Sequence, residues 1–470
     1  MRSALLRIAH KEFIEVSRDG RFRWAFGVIF ALLIMSLLMG WRHYAEVRRQ
    51  IEAAQGEQRE LWLNTPGLNP HSAAHHGLYV FKPAPPLSSV DSGIAPYAGV
   101  SFLLEAHDQN LSQNKPAEDR LAVARFGETT AAVTLQILVP LLIILLAFSS
   151  FAGEREQGTL RHLLSIGVRP KTLAAGKALG AMAPLLLSLI PAAAIGAVAM
   201  VLNTAPATFA AALPRAGALA LSYLLYFGMF VGLALIVSAK APTARLALVA
   251  LLAFWFINCL VAPRVMADVA HHVVAMPSAS EFLQAVEEDK KRIPPDWKER
   301  VIAGWLSKYR VTREEDLPVN PFGILLVEGE KWETEVYERN FARLFDLYER
   351  QNAVYTAGGL LTPMLSIQMF SMGMAGTDFN QSRHFMEAVG RYRTEWLRIL
   401  NEDVMLHQRP DQVVYTRERD LWEQIPPLVY QPPSARWAFG RQKLSFGILV
   451  LWFSVIALAT PAALARIRIE

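Results

Sequence analysis

Six stretches of the chain lack Asp, Glu, Lys and Arg for long enough to cross about 30 Å of hydrocarbon. They lie within residues 24–41, 129–153, 178–214, 216–239, 246–263 and 444–465. The third is longer than one crossing needs, so its polar end, Asn203 to Pro214, reads as a short loop. A further uncharged stretch, 351–377, holds Gly358, Gly359, Gly373, Gly376, Thr362, Pro363, Ser366, Gln368 and Ser371. Such residues weaken insertion, and a seventh crossing would put Arg466 and Arg468 outside. This stretch is therefore expected to pack in an external domain near the membrane, with a seventh crossing as the alternative. The pattern predicts an all-α membrane protein with six transmembrane helices.

The polar intervals carry helical spacing of their own. Residues 3–18 place Leu5, Ile8, Ala9, Phe13 and Val16 on one face, with Arg7, Lys11, Glu15 and Arg18 on the other. Such an amphipathic helix tends to lie flat in the headgroup layer; the alternative is a solvated lead-in to the first crossing. After span 1 a charged helix continues from Glu46 to Leu61, and a proline-rich run, FKPAPPLSSVDSG, resists helical assignment. In the longest interval, Ser280 is the candidate cap of a helix ending at Lys291. Residues 328–350 line up Trp332, Val336, Phe341, Leu344 and Leu347. Asp378 caps a helix from Phe379 to about Leu406, with Phe385, Val389, Tyr392, Trp396 and Leu400 inward. This interval reads as a helical bundle of its own, its aromatic stripes being core.

The resulting division is a cytoplasmic helix at 1–22, span 1 at 23–43, a first external segment at 44–128 and span 2 at 129–151. A cytoplasmic loop and helix follow at 152–176, and spans 3 to 5 occupy 177–263. A large external helical domain at 264–441 precedes span 6 at 442–466 and a cytoplasmic tail at 467–470. No small-residue cleavage site follows the first apolar run, so it is expected to be an anchor and not a signal peptide.

With 53% hydrophobic and 19% charged residues, the chain leaves room for sizeable polar domains between its crossings. Its net charge of +5 is better read by position than as a nucleic-acid signal. The basic N-terminus, Arg155 to Lys177, Lys240 with Arg245, and the C-terminal arginines all fall on one side of a six-span arrangement. The positive-inside rule then puts both termini in the cytoplasm. Cys259, the single cysteine, lies in span 5, so no intramolecular disulfide or cysteine-based zinc site can form.

The loop after span 2 reads FSSFAGEREQGTLRHLLSIGVRPKTLAAGK. Glu154-Arg155-Glu156 stands where the chain leaves the membrane, and after Gly158 and Thr159 a short amphipathic helix follows. Leu160, Leu163, Leu164 and Val168 recur at helical spacing, while Arg161, His162, Arg169 and Lys171 supply positive charge. A helix of this kind serves a lipid interface or a partner.

The chain contains no G-x-x-x-x-G-K-[ST], no H-E-x-x-H and no G-x-S-x-G, so it offers no nucleotide, zinc-protease or serine-hydrolase site. The predicted spans hold none of the charged groups that ion-coupled transporters use, which points to an external energy source. His71, His75 and His76, with His271-His272 and a methionine patch at Met364, Met369, Met372 and Met374, would suit copper handling. The plainer account is a polar loop and a pliable apolar surface, and no metal site is assigned. Gly228 and Gly232 in the fourth span, and Gly176 with Gly180, are G-x-x-x-G pairs that let helices or subunits approach closely.

Phe151-Ala152-Gly153-Glu154-Arg155-Glu156-Gln157-Gly158-Thr159-Leu160, then Leu163-Leu164-Ser165, Arg169 and Gly176-Lys177, resembles the E-R-E-x-G-T-L … L-L-S … R … G-K signature of type-two ABC exporter permeases. Lys11-Glu12-Phe13 is similar to the K-E-[FL] step of that family's N-terminal elbow helix. HGLYVFKPAPPLSSVDSGIAPYAGVSFLLEAH and MAGTDFNQSRHFMEAVGRYR resemble a branch related to the nitrous oxide reductase maturation permease, with a large external domain between the last two spans. The resemblance implies a bacterial inner-membrane exporter subunit, paired with an identical or sister permease chain and docked on a cytoplasmic ABC ATPase dimer that alone binds ATP. Glu154, Arg155, Glu156, Gly158, Thr159, Leu160, Leu163 and Leu164 would then form the ATPase-coupling region. In it the acidic pair would hold the loop's start through charge pairing and the leucines would seat the helix in a groove of the ATPase. The competing reading is a non-transporting scaffold or receptor that binds a periplasmic protein through its external domain.

Overall fold

The computed structural model describes residues 2–110, 112–118 and 130–465; Arg466 and Arg468 lie outside them. Among the described residues six helices are long and apolar enough to cross a membrane. Span 1, Gly20–Leu63, runs straight on into the charged extension expected from the sequence. Span 2 covers residues 131–147 as a broken helix, and span 3 is Pro170–Asn203. Span 4 is Pro206–Lys240, span 5 Ala244–Val273 and span 6 Lys443–Ala465. Ahead of them the amphipathic helix, Arg2–Arg18, packs along span 3. The fold is an all-α membrane bundle with a largely helical external region.

One boundary differs from the sequence reading. Only Thr204 and Ala205 separate spans 3 and 4, because Pro206 starts the next helix at its first turn, where a missing N–H costs nothing. The stretch from Pro206 to Pro214 is therefore helix, not loop. Arg215 consequently sits inside span 4, buried, its guanidinium donating to the carbonyl of Pro433 at 2.6 Å.

Residues 351–377 match neither expectation. The long helix Pro321–Ala357 ends at a tight turn, Gly358–Leu360, and the chain returns as a 13-residue helix, Pro363–Ala375. That helix is too short to cross, at about 1.5 Å per residue, yet it is buried between spans 4 and 6. The turn reaches deep into the bundle: the Trp452 indole N–H donates to the Gly359 carbonyl at 2.9 Å, and the Tyr226 hydroxyl meets Met364 Sδ at 3.6 Å. Both partners lie near the middle of their spans. The small and polar residues that disfavour a lipid-exposed crossing are tolerated because this stretch is enclosed by other helices, with Ser371 and Gln368 bonded to Tyr223 and Tyr355.

The external region is not a separate bundle. The tip of span 1 and the first segment contribute Trp62, Ala73, Leu78 and Phe102 to the same core as Phe385, Trp396, Leu400 and Trp422. Strands β1, Leu78–Phe81, and β2, Ser101–Leu104, pair antiparallel and lie on this core. The helix Ala279–Lys290 is capped by Ser278 rather than Ser280, since only Ser278 has Glu281 three residues on to complete a capping box. Asp378 does cap Phe379–His407.

Candidate functional site: the loop between the second and third spans

Beyond span 2 the chain makes two short helices, Ala152–Glu156 and Thr159–Ser165, separated by Gly158 at φ 74. A positive φ favours glycine, and this one turns the second helix across the bundle's end. Ser238 of span 4 starts the first helix by accepting the N–H groups of Phe151 and Ala152 at 3.0 and 3.1 Å. Leu160 is buried against the spans, and Leu163 and Leu164 are half-buried. Gln157, Thr159, Arg161, His162, Ser165 and Ile166 form the exposed side, and Ile166 is 62% exposed despite its apolar side chain.

Each member of the Glu154-Arg155-Glu156 triplet holds a different helix. Glu154 Oε1 accepts from Lys177 Nζ of span 3 at 2.8 Å and from Lys11 Nζ of the N-terminal helix at 3.3 Å. Arg155 donates to the carbonyls of Ala239 and Ala241 at 2.5 Å each, where span 4 ends with unpaired acceptors. Glu156 Oε1 accepts from Ala244 N at 3.1 Å, at the positive N-terminus of span 5. Lys177 also donates to Glu12 Oε1 at 2.6 Å, and its side chain is 1% exposed.

A family model described as "ABC-2 family transporter protein" matches residues 6–295, well over half of the chain. The chain belongs to this family. A second model, a domain of unknown function (DUF3526), matches residues 281–431, the bulk of the external region. No curated protein matches the sequence. The relation to nitrous oxide reductase maturation expected from the sequence finds no support in these matches.

In this ABC permease the sequence reading singled out the loop but not the groups that anchor it. Glu12, Lys11, Lys177 and Ser238 are distant in sequence, and only the Lys11-Glu12 step and Gly176-Lys177 hinted at them. The glycine pairs have defined neighbours. A Cβ on Gly176 would stand 2.6 Å from Ile8, and one on Gly180 2.5 Å from Glu12, so this pair seats the elbow helix against span 3. Gly228 and Gly232 face Phe453 and Ile456 of span 6.

Two π-helical turns, Thr134–Leu138 in span 2 and Ile257–Val261 in span 5, converge on a buried polar cluster. Tyr226 donates to the Gln136 carbonyl at 3.2 Å, Gln136 Nε2 donates to Tyr223 at 3.0 Å, and Asn258 Oδ1 accepts from Met364 N at 3.2 Å. Tyr223 then meets Ser371 at 3.0 Å, and Ser371 donates to Asp91 at 2.5 Å. Asp91 arrives from the proline-rich external run, and burial pushes its carboxyl above the usual range. The methionines belong to this interior: Met364 and Met374 are core residues, not a surface patch. His76 turns back to the Ser72 carbonyl at 2.9 Å, away from any cluster.

Proposed function

We propose that this permease couples ATP hydrolysis by a separate cytoplasmic ATPase dimer to movement of its spans, for export or for signalling into its external domain. The observation that carries this reading is the triplet junction. A force on the exposed side of Thr159–Ser165 acts on the elbow helix and span 3 through Glu154, on span 4 through Arg155 and on span 5 through Glu156. The acidic pair would therefore transmit the load within the permease, while His162, Ser165 and Ile166 meet the ATPase. That division keeps the charge-pairing role the resemblance gives the acidic pair, and moves the ATPase contact from the leucines to the exposed side of the helix.

The route outward is supported by the hairpin between spans 4 and 6. A relative shift of those spans would move Pro363–Ala375, and with it the long external helices on either side. The reading places the loop and both termini in the cytoplasm of a bacterial inner membrane, with a second permease chain completing the assembly. ATP is bound by the ATPase alone. The test is co-reconstitution with an ATPase encoded beside this permease, comparing ATP turnover for wild type and for His162→Glu/Ile166→Glu. The expected result is loss of turnover stimulation and of co-purification, with the spans' thermal unfolding unchanged. Stimulation equal to wild type would overturn the reading.

A further inference from the structure

We propose that the external domain binds one divalent transition-metal ion of the zinc class at His71, His75 and His107. These residues come from two places. His71 and His75 stand one turn apart on the helix Pro70–His76, and His107 follows strand β2. Their rings form a nearly equilateral triangle, with centroids 4.8, 5.2 and 5.2 Å apart. One nitrogen of each ring lies within 4.8 Å of the others.

The spacing suits coordination. Two ligands of a tetrahedral zinc ion, each about 2.05 Å from the metal, stand roughly 3.3 Å from one another. His71 Nε2 and His75 Nε2 are 3.3 Å apart. His71 Nδ1 lies 2.9 Å from the Asn401 side-chain oxygen. An amide oxygen only accepts, so that Nδ1 carries the proton and Nε2 keeps its lone pair for a metal.

His107 is braced in the manner of a carboxylate–histidine–metal arrangement. Its Nδ1 is 2.8 Å from Glu333 Oε2, and its backbone N–H donates to Glu330 Oε2 at 3.2 Å. Buried Arg393 fixes Glu330 at 2.7 Å and also donates to the carbonyls of Glu105 and Asp108 on either side of the histidine. Cys-free imidazole sites suit borderline ions such as zinc. His75 is exposed, so three imidazoles leave the fourth position open to water or to an incoming ligand. A bound ion would tie the first external segment to the long helices that bear Glu333 and Asn401.

The experiment uses the full-length permease in nanodiscs, purified with a histidine-free tag and stripped with chelator. Zn(II) stoichiometry is measured by equilibrium dialysis, and Co(II) geometry by its visible d–d bands. One ion per chain with tetrahedral Co(II) bands is expected for wild type and for His76→Ala. His71→Ala/His107→Ala and the exposed-site variant His75→Ala should bind at least tenfold more weakly, and Glu333→Gln about 10- to 100-fold more weakly. Wild type without a bound ion, or binding unchanged in His75→Ala, would overturn the proposal and leave a hydrogen-bonded histidine cluster.

Discussion

Lys177 and Glu12 meet at 2.6 Å although 165 residues separate them, and the pair is almost wholly shielded from water. The same ammonium reaches Glu154, so one cation joins the elbow helix, span 3 and the loop after span 2. Removing one member of a buried ion pair strands the others and costs roughly 3–5 kcal/mol. Lys177→Met should therefore lower the unfolding midpoint more than Glu12→Gln/Lys177→Met, which removes both signs together. Circular dichroism melts in detergent provide the comparison. Equal losses for the single and double variants would show that the pair carries no coupled role.

The elbow helix touches span 3 where side chains are absent. A methyl group on Gly180 would stand 2.5 Å from Glu12 Cβ and 2.9 Å from the Ala9 carbonyl. Gly180→Val should detach the elbow, raising its protease sensitivity and costing roughly 1–3 kcal/mol as overpacking usually does. Gly217, which has open space around it, gives the matched control: Gly217→Val should leave the cleavage pattern unchanged.

Asp91 supplies a pH test. Its carboxyl is held above the ordinary range by burial, so between the unfolded and folded pKa values the native state binds more protons than the unfolded chain. Stability then falls as pH rises across that window. Asp91→Asn removes the charge, keeps an oxygen to accept the N–H of Gly93 and turns its NH2 toward the Ser371 hydroxyl, as a protonated carboxyl turns its O–H. The variant should match wild type in acid and become the more stable protein toward neutral pH. Parallel melting curves from pH 4 to 8 would contradict this.

The crossings and the loop were legible in the sequence because charge is excluded from one and concentrated in the other. The helix capped by Asp378 was equally legible, since its signal is local. The hairpin at 358–377 was not, because glycines and serines that argue against lipid contact say nothing about a site enclosed by other helices. Neither was the meeting of Glu154 with Lys177 and Lys11, which tertiary packing alone creates. The histidine cluster shows the same limit: neighbours in sequence suggested His76, whereas the β-hairpin delivers His107. Similarly, the leucines of Thr159–Ser165 marked an amphipathic helix without revealing that its apolar side faces the spans.

The central claim is that this loop faces the cytoplasm and is pressed by a separate ATPase. Because Cys259 is the single cysteine and is buried, Cys259→Ser/Ile166→Cys gives a unique reporter at an exposed position. The decisive measurement is labelling of that residue by a membrane-impermeant maleimide in right-side-out and inside-out vesicles, with and without the co-expressed ATPase. The account predicts labelling only in inside-out vesicles, with protection when the ATPase is present. Labelling from the periplasmic face, or cytoplasmic labelling that the ATPase leaves unchanged, would contradict it.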